Sequence, residues 1–277
     1  MARNVLPSDT PRENEVLGLI YWSINFIKVV AGCTCAIGVW QIIHAFALFG
    51  AHNSVPPFSN LAAALGFLFL GIQTFQIFRF DKAYVVSEKD ESLIHALFRL
   101  GDFWLIYAAT VGASLLPVTP YLIQRATGYI VPSTILIVVY VLSAAAFITL
   151  FTINLLATKR FAPPTHPIIK EVQTFARRNV DRVRLIGFFS MGVGALLVLL
   201  YSFDLLPFAP AEPVEHLMTG TAFLVVGAAI TFYWRGVREI HRNPSLIYFE
   251  RTLERLNLFW LLASIAFLTT LVTILVA

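Results

Sequence analysis

Residues 129–158 read YIVPSTILIVVYVLSAAAFITLFTINLLAT and contain no Asp, Glu, Lys or Arg. About 20 mostly apolar residues in a helix cross the hydrocarbon core of a bilayer. Backbone polar groups in hydrocarbon must be hydrogen-bonded within their own segment, which favours a helix over irregular chain. This stretch therefore predicts a transmembrane helix.

Six further runs lack those four residue types and are long enough to cross a bilayer once their flanks are added. They are residues 29–43, 59–78, 103–124, 185–203, 217–234 and 256–277. The 277 residues are 58% hydrophobic and 13% charged, whereas about a quarter of the residues in a soluble domain are charged. The mean hydropathy is +0.76. The sequence predicts an all-α integral membrane protein with seven transmembrane helices.

The basic residues lie almost entirely on one side of the predicted membrane. If the loops alternate between sides, the N-terminus shares a side with the loops near 79–100, 158–184 and 235–255. Nineteen of the 20 Lys and Arg residues fall on that side, and only Arg125 falls on the other. Cytoplasmic loops carry this excess in membrane proteins. We expect a multi-pass protein of the cytoplasmic (inner) membrane, with its N-terminus in the cytoplasm and its C-terminus outside.

The chain matches itself when it is shifted by 156 residues. The clearest match aligns RLGDFWL, residues 99–105, with RLNLFWL, residues 255–261. Further matches are Gly38 with Gly194, Gly71 with Gly227, Arg79 with Arg235, and Lys82 with Arg238. We interpret this as two three-helix units joined by one helix, a 3+1+3 arrangement. Since both units enter from the cytoplasm, the repeat is parallel, with its axis along the membrane normal.

This interpretation divides the chain into four parts. They are a cytoplasmic N-terminal segment (1–15), a first three-helix unit (16–125), a linker helix (126–160) and a second three-helix unit (161–277).

An amphipathic helix precedes the spans of the second unit. Apolar residues recur at helical spacing in 167–184, so we expect this helix to lie on the inner membrane surface before the chain turns into the fifth span. The cations between them form a lipid-facing basic segment: Lys170, Arg177, Arg178, Arg182 and Arg184. These cations suit anionic lipid headgroups or a phosphorylated partner, or they are ordinary positive-inside anchors.

The repeated Arg-Leu-x-x-Phe-Trp block opens the third and seventh spans at the cytoplasmic interface. In a structural interpretation, Arg99 and Arg255 extend to lipid headgroups, while Trp104 and Trp260 are anchors in the interfacial aromatic belt. In a functional interpretation, the two arginines converge near the axis and hold an anion or gate a pore.

Asp102 is the acidic residue placed most nearly inside a span. An ionisable side chain there is a functional hypothesis by default, and Arg99, three residues earlier, is the expected partner. Leu258 stands 156 residues later, so the repeat itself does not require the acid. Asp102, Arg99 and Arg255 are therefore the candidates for a channel or anion site.

Histidines near the outer side are weak candidates for a metal or haem site. His44 lies near the end of the first span and His216 at the start of the sixth. A metal or haem site needs ligands that converge with correct geometry, and this spacing does not demand convergence. We expect no cofactor, with haem or metal as the alternative.

Several functional classes are disfavoured by what the sequence lacks. A retinal bound through a Schiff base is excluded, because the last lysine is Lys170 and the seventh span has none. No Gly-rich phosphate loop, zinc-protease helix or Gly-x-Ser-x-Gly elbow is present. We expect a non-enzymatic protein that contacts lipid rather than nucleic acid and acts as an accessory or scaffold subunit or as a homo-oligomer. The alternatives are a small ion channel or transporter, and a haem- or metal-binding redox or sensor component.

Overall fold

The structure is a computed structural model that describes residues 10–50, 56–87, 90–115, 119–157, 168–202 and 212–276. Every regular element in those ranges is a helix, which confirms the all-helical expectation. The helices are α1 (Thr10–Gly50), α2 (Pro56–Ser87), α3 (Asp90–Ala113), α4 (Thr119–Thr127), α5 (Ser133–Ala157), α6 (Ile168–Ser202), α7 (Glu212–Arg242) and α8 (Leu246–Val276). Most of the expected segment 1–15 lies outside the described residues.

Six of the described helices are long and apolar enough to cross a membrane, namely α1, α2, α5, α6, α7 and α8. The 24-residue α3 is not among them, since its first 13 residues carry four charges, at Asp90, Glu91, Arg99 and Asp102. The third span expected within 103–124 corresponds to this helix, which begins earlier and ends at Ala113. The nine-residue α4 follows it and is too short to cross.

Several helices are much longer than the hydrocarbon thickness requires. The 41 residues of α1 extend about 60 Å at 1.5 Å per residue, about twice the thickness of the bilayer core. The extra length lies where the basic residues are: at the starts of α1, α6 and α8 and at the ends of α2 and α7. These ends come together at one end of the bundle, which we call the basic end.

The helix expected to lie flat on the membrane surface is instead the first half of α6. Ile168–Ser202 is one continuous helix of 35 residues, so no turn separates the amphipathic segment from the span. Val172, Phe175 and Ala176 are buried and line a cavity together with residues of α3, α7 and α8. The expectation of a surface helix is thus corrected, because the apolar side of this segment packs on protein rather than on lipid.

The helices pack as two similar groups of three. In one group α1 contacts α2 and α2 contacts α3; in the other α6 contacts α7 and α7 contacts α8. Contacts of α1 with α8 and of α3 with α6 join the groups, and α5 packs at the edge on α2 and α3. Glycines allow close approach within each group: a Cβ at Gly194 would lie 2.6 Å from the Gly220 carbonyl oxygen, and one at Gly38 would lie 3.0 Å from the Ala64 carbonyl oxygen.

Candidate functional site

Arg99 and Asp102 lie together near the middle of α3. Nη1 of Arg99 is 3.8 Å from Oδ2 of Asp102, and the two side chains are 8% and 28% exposed. This Nη1 atom is buried and has no hydrogen-bond partner among the described residues. Gln73 of α2 donates from Nε2 to the Arg99 carbonyl oxygen at 3.0 Å. The expected pair is therefore present, but as a long ion pair around a buried guanidinium rather than at a lipid headgroup.

Arg255 occupies the equivalent position in α8 and has a different partner. It donates from Nη1 and Nη2 to the two carboxylate oxygens of Glu239 in α7, at 3.1 and 3.3 Å. Its guanidinium also lies 5.3 Å from the centroid of the Phe232 ring. The residue 156 positions before Glu239 is Ala83, so each half of the chain supplies its arginine with an acid from a different position.

The two Phe-Trp pairs of the repeated block form one cluster at the centre of the bundle. Phe103 contacts Phe259 and Trp260, with ring centroids 6.1 and 5.2 Å apart, and Trp104 contacts Phe259 at 5.1 Å. All four rings are at most 1% exposed. The expected position of Trp104 and Trp260 in a lipid-facing aromatic belt is therefore corrected: both rings are buried against other aromatic rings of the bundle rather than exposed on its surface.

Two cavities at the basic end have matching linings. The first, about 30 Å³, is lined by residues of α1, α2, α3 and α8, and we call it the Asp81 cavity. The second, about 10 Å³, is lined by residues of α3, α6, α7 and α8, and we call it the Val237 cavity. Pairs of lining residues 156 positions apart are Ile20 with Ala176, Ile77 with Tyr233, Asp81 with Val237, Leu93 with Phe249, and Ala96 with Thr252.

Asp81 is the residue of this region that the sequence analysis missed. It was assigned to a loop because Arg79 and Lys82 flank it, whereas α2 continues through it to Ser87. A signal was available in the helical spacing. Gln73, Ile77 and Asp81 recur every four residues and are all buried, so they share the inner face of α2.

The five cations of the basic segment are all exposed along the first half of α6. The guanidinium of Arg184 lies 5.9 Å from the Trp234 ring centroid, and that of Arg238 lies 5.6 Å from it. Lys170, Arg177 and Arg178 make no ion pair among the described residues. Their side chains are therefore the ones placed to meet anionic groups outside the bundle.

The candidate histidines do not come together among the described residues. His44 is exposed on α1, while the side chain of His216 lies outside the described part of the chain. No group of three or more His, Cys, Asp or Glu residues in the described ranges is arranged to hold a metal ion.

Comparisons with known proteins add no relationship to these observations. No family model, no curated protein and no solved structure matches the chain.

Proposed function

We propose that this chain is a non-enzymatic, multi-pass protein of the cytoplasmic membrane that acts as a homo-oligomeric subunit, with α5 at the contact between copies. The observation that carries the proposal is the position of α5. Only 11% of its most apolar window is buried, against 39–56% for the other five candidate spans. Its exposed surface is formed by aliphatic side chains such as Val138, Leu142 and Ile153.

Seven spans, rather than six, fit the packing of α3. Its residues Phe103, Trp104 and Tyr107 are at most 1% exposed, so neighbouring helices shield α3 from lipid. A shielded helix needs less apolar surface than a lipid-facing one, and its charged residues then face protein. If α3 is a span, all helix ends of the basic end lie on the same side of the membrane. Because cytoplasmic loops carry an excess of Lys and Arg, we infer that this side is the cytoplasm.

A parallel internal repeat is supported by three matched features. The contacts of α1, α2 and α3 correspond to those of α6, α7 and α8. The Asp81 and Val237 cavities have linings related by the same shift of 156 residues. The same shift relates Gly71, whose Cβ would meet Cys35, to Gly227, whose Cβ would meet Met191. In this arrangement α5 is the unpaired helix between the units.

Small residues beside α5 give the proposed contact a place to form. A groove of about 240 Å³ between α3 and α5 is lined by small and apolar side chains: Ala109, Gly112, Ala113, Ser143, Ala146, Phe147 and Leu150. Helices associate in membranes through close packing at small residues rather than through hydrophobicity alone. Because α5 carries no charge, a second copy of this apolar helix suits the groove better than a charged or soluble partner.

The oligomeric state of the purified protein tests the assembly proposal. We expect mass photometry in lipid nanodiscs to give a dimer or a larger homo-oligomer for the wild type. Gly112→Leu and Ser143→Phe fill the groove, so each should shift the population towards monomer. Val86→Phe, at an exposed site of α2, is the control and should leave the state unchanged. A wild-type protein that is monomeric at every concentration contradicts the proposal.

A small ion channel or transporter is the second candidate, and the buried guanidinium of Arg99 favours it. Burying a cation whose Nη1 lacks a hydrogen bond costs stability. Ionisable side chains that are retained inside membrane helices despite this cost usually serve a function. Ion flux into liposomes tests this candidate: flux that Asp102→Asn or Arg99→Gln changes while Glu91→Gln does not would support it. An absence of flux from folded protein would remove it.

A further inference from the structure

Asp81 is a buried carboxylate with no counter-ion among the described residues. The residue is 8% exposed, and it makes no hydrogen bond or ion pair within the described ranges. It lies in α2 between Arg79 and Lys82, beyond the apolar run of that helix and at the basic end of the bundle. A charge that is buried in protein is costly unless it is paired or hydrogen-bonded. No described side chain of the bundle therefore balances the charge of Asp81.

Two other residues with side-chain oxygens line the same cavity as Asp81. Ser23 of α1 and Asn257 of α8 line the same cavity. The Ser23 hydroxyl donates to the Ile20 carbonyl at 2.8 Å, and Asn257 donates from Nδ2 to the Leu19 carbonyl at 2.9 Å. Since their donor groups are engaged with the backbone, Oγ of Ser23 and Oδ1 of Asn257 remain as acceptors. Three residues with side-chain oxygens, on three helices, thus line one cavity.

We propose that the Asp81 cavity binds one Na⁺ ion, with Asp81, Ser23 and Asn257 as ligands. Carboxylate, hydroxyl and amide oxygens are ligands for hard cations. No other charged side chain lines the cavity, so a single positive charge balances Asp81, while a divalent ion would leave an unpaired charge in an apolar environment. A volume of about 30 Å³ accommodates one or two water-sized groups, which fits a small, largely dehydrated ion.

The site occurs once in each chain. A shift of 156 residues replaces Asp81 by Val237, Ser23 by Asn179 and Asn257 by Gly101. Of these three, only Val237 lines the Val237 cavity, whose volume is about 10 Å³. The Na⁺ ion would connect α1 and α2 of one group to α8 of the other. Its binding would therefore stabilise the junction between the two groups of helices. This site does not depend on the assembly proposal, because none of its residues lines the groove beside α5.

Binding of radioactive ²²Na⁺ to the purified protein tests the site directly, with thermal unfolding in NaCl as the second measurement. N-methylglucamine chloride at equal ionic strength is the reference. We expect one Na⁺ per chain and a saturable rise of the unfolding temperature with NaCl. CsCl should give a smaller rise, because the larger ion lies farther from the ligand oxygens and is attracted less strongly. Asp81→Asn should abolish both signals, and Ser23→Ala should weaken Na⁺ binding about tenfold through the loss of one ligand.

Glu91→Gln is the matched control, since it removes one negative charge from an exposed site of the neighbouring helix α3. It should bind Na⁺ like the wild type. The proposal is overturned if the wild type shows neither ²²Na⁺ binding nor a Na⁺-dependent rise. It is also overturned if Asp81→Asn retains the Na⁺ effect, or if Asp81→Asn and the wild type unfold at the same temperature in both salts, as a neutral, proton-carrying Asp81 would predict.

Discussion

Phe103 and Phe259, which stand 156 residues apart in the chain, contact each other at the centre of the bundle. Their ring centroids are 6.1 Å apart and their planes meet at 74°. Each ring also contacts a tryptophan, Trp104 or Trp260, so the two halves of the chain meet at an aromatic cluster. In the proposed parallel repeat, this contact lies near the axis that would relate the two halves.

Truncation of a central tryptophan should be strongly destabilising. Trp104→Ala leaves a cavity among four buried rings, and we expect a loss of about 3 to 5 kcal/mol in the free energy of unfolding. Trp104→Phe should cost much less, because the buried Nε1 of Trp104 has no hydrogen-bond partner among the described residues. Unfolding in SDS–detergent mixtures measures both, with Trp22→Ala at a 48% exposed site as the control. Equal effects of Trp104→Ala and Trp22→Ala would contradict the cluster.

Two glycines at helix positions should respond oppositely to alanine. At Gly227 a Cβ would lie 2.7 Å from the Met191 backbone nitrogen, so Gly227→Ala should separate α6 from α7 and destabilise the protein by about 1 to 3 kcal/mol. At Gly192 nothing lies within 4 Å, and Gly192→Ala should be neutral or stabilising by up to about 1 kcal/mol. Thermal unfolding of the pair in one detergent gives the comparison. Equal melting temperatures would argue against the close crossing.

Asp102→Asn should destabilise the protein by removing the ionic partner of Arg99. The guanidinium is buried, while the carboxylate is 28% exposed and 3.8 Å away, so the expected loss is moderate, about 1 to 2 kcal/mol. Glu91→Gln removes an acid that is 55% exposed and should change the free energy of unfolding by less than about 0.5 kcal/mol. If the two variants unfold alike, the buried pair contributes no stability.

The basic segment of α6 should retain anionic lipid. Replacing Lys170, Arg177 and Arg178 by glutamine removes three exposed cations, each contributing about 1 kcal/mol near an anionic surface. Native mass spectrometry should then show fewer bound phosphatidylglycerol molecules. Arg184→Gln, whose side chain lies at Trp234, should retain more lipid than the triple variant. Unchanged lipid retention in the triple variant would contradict a lipid-binding role and would favour ordinary positive-inside anchoring by these cations.

The sequence predicts the helical, membrane-embedded class of this chain because long runs without charge have few other stable structures. The matches of Gly38 with Gly194 and of Gly71 with Gly227 fall at close helix crossings, which only the packed structure reveals. The prediction for Trp104 and Trp260 was wrong, because a tryptophan close to the basic residues at one end of a helix can face either lipid or protein. The sequence does not distinguish these two environments. The same ambiguity led to the surface-helix prediction for 167–184: an amphipathic face does not specify what it packs against.

Asp81 could not be assigned from composition because its flanking residues, Arg79 and Lys82, resemble a cytoplasmic loop. Its burial arises from the length of α2, which carries the inner face of the span beyond the apolar run. The partner of Arg255 was missed for a related reason, since Glu239 lies on a different helix and only the α7–α8 contact brings it within 3.1 Å. The spacing of residues within one helix does not predict which residues of another helix they contact.

The central claim is that the chain contains an internal duplication and crosses the membrane seven times, so that its two ends lie on opposite sides. Labelling of the C-terminus tests this claim most directly. The variant Ala277→Cys, in a background without Cys33 and Cys35, is exposed to a membrane-impermeant maleimide in intact cells. The account predicts labelling without permeabilisation, together with labelling of a cysteine at residue 3 only after permeabilisation. Labelling of Ala277→Cys that requires permeabilisation would contradict the seven-span topology and, with it, the parallel repeat.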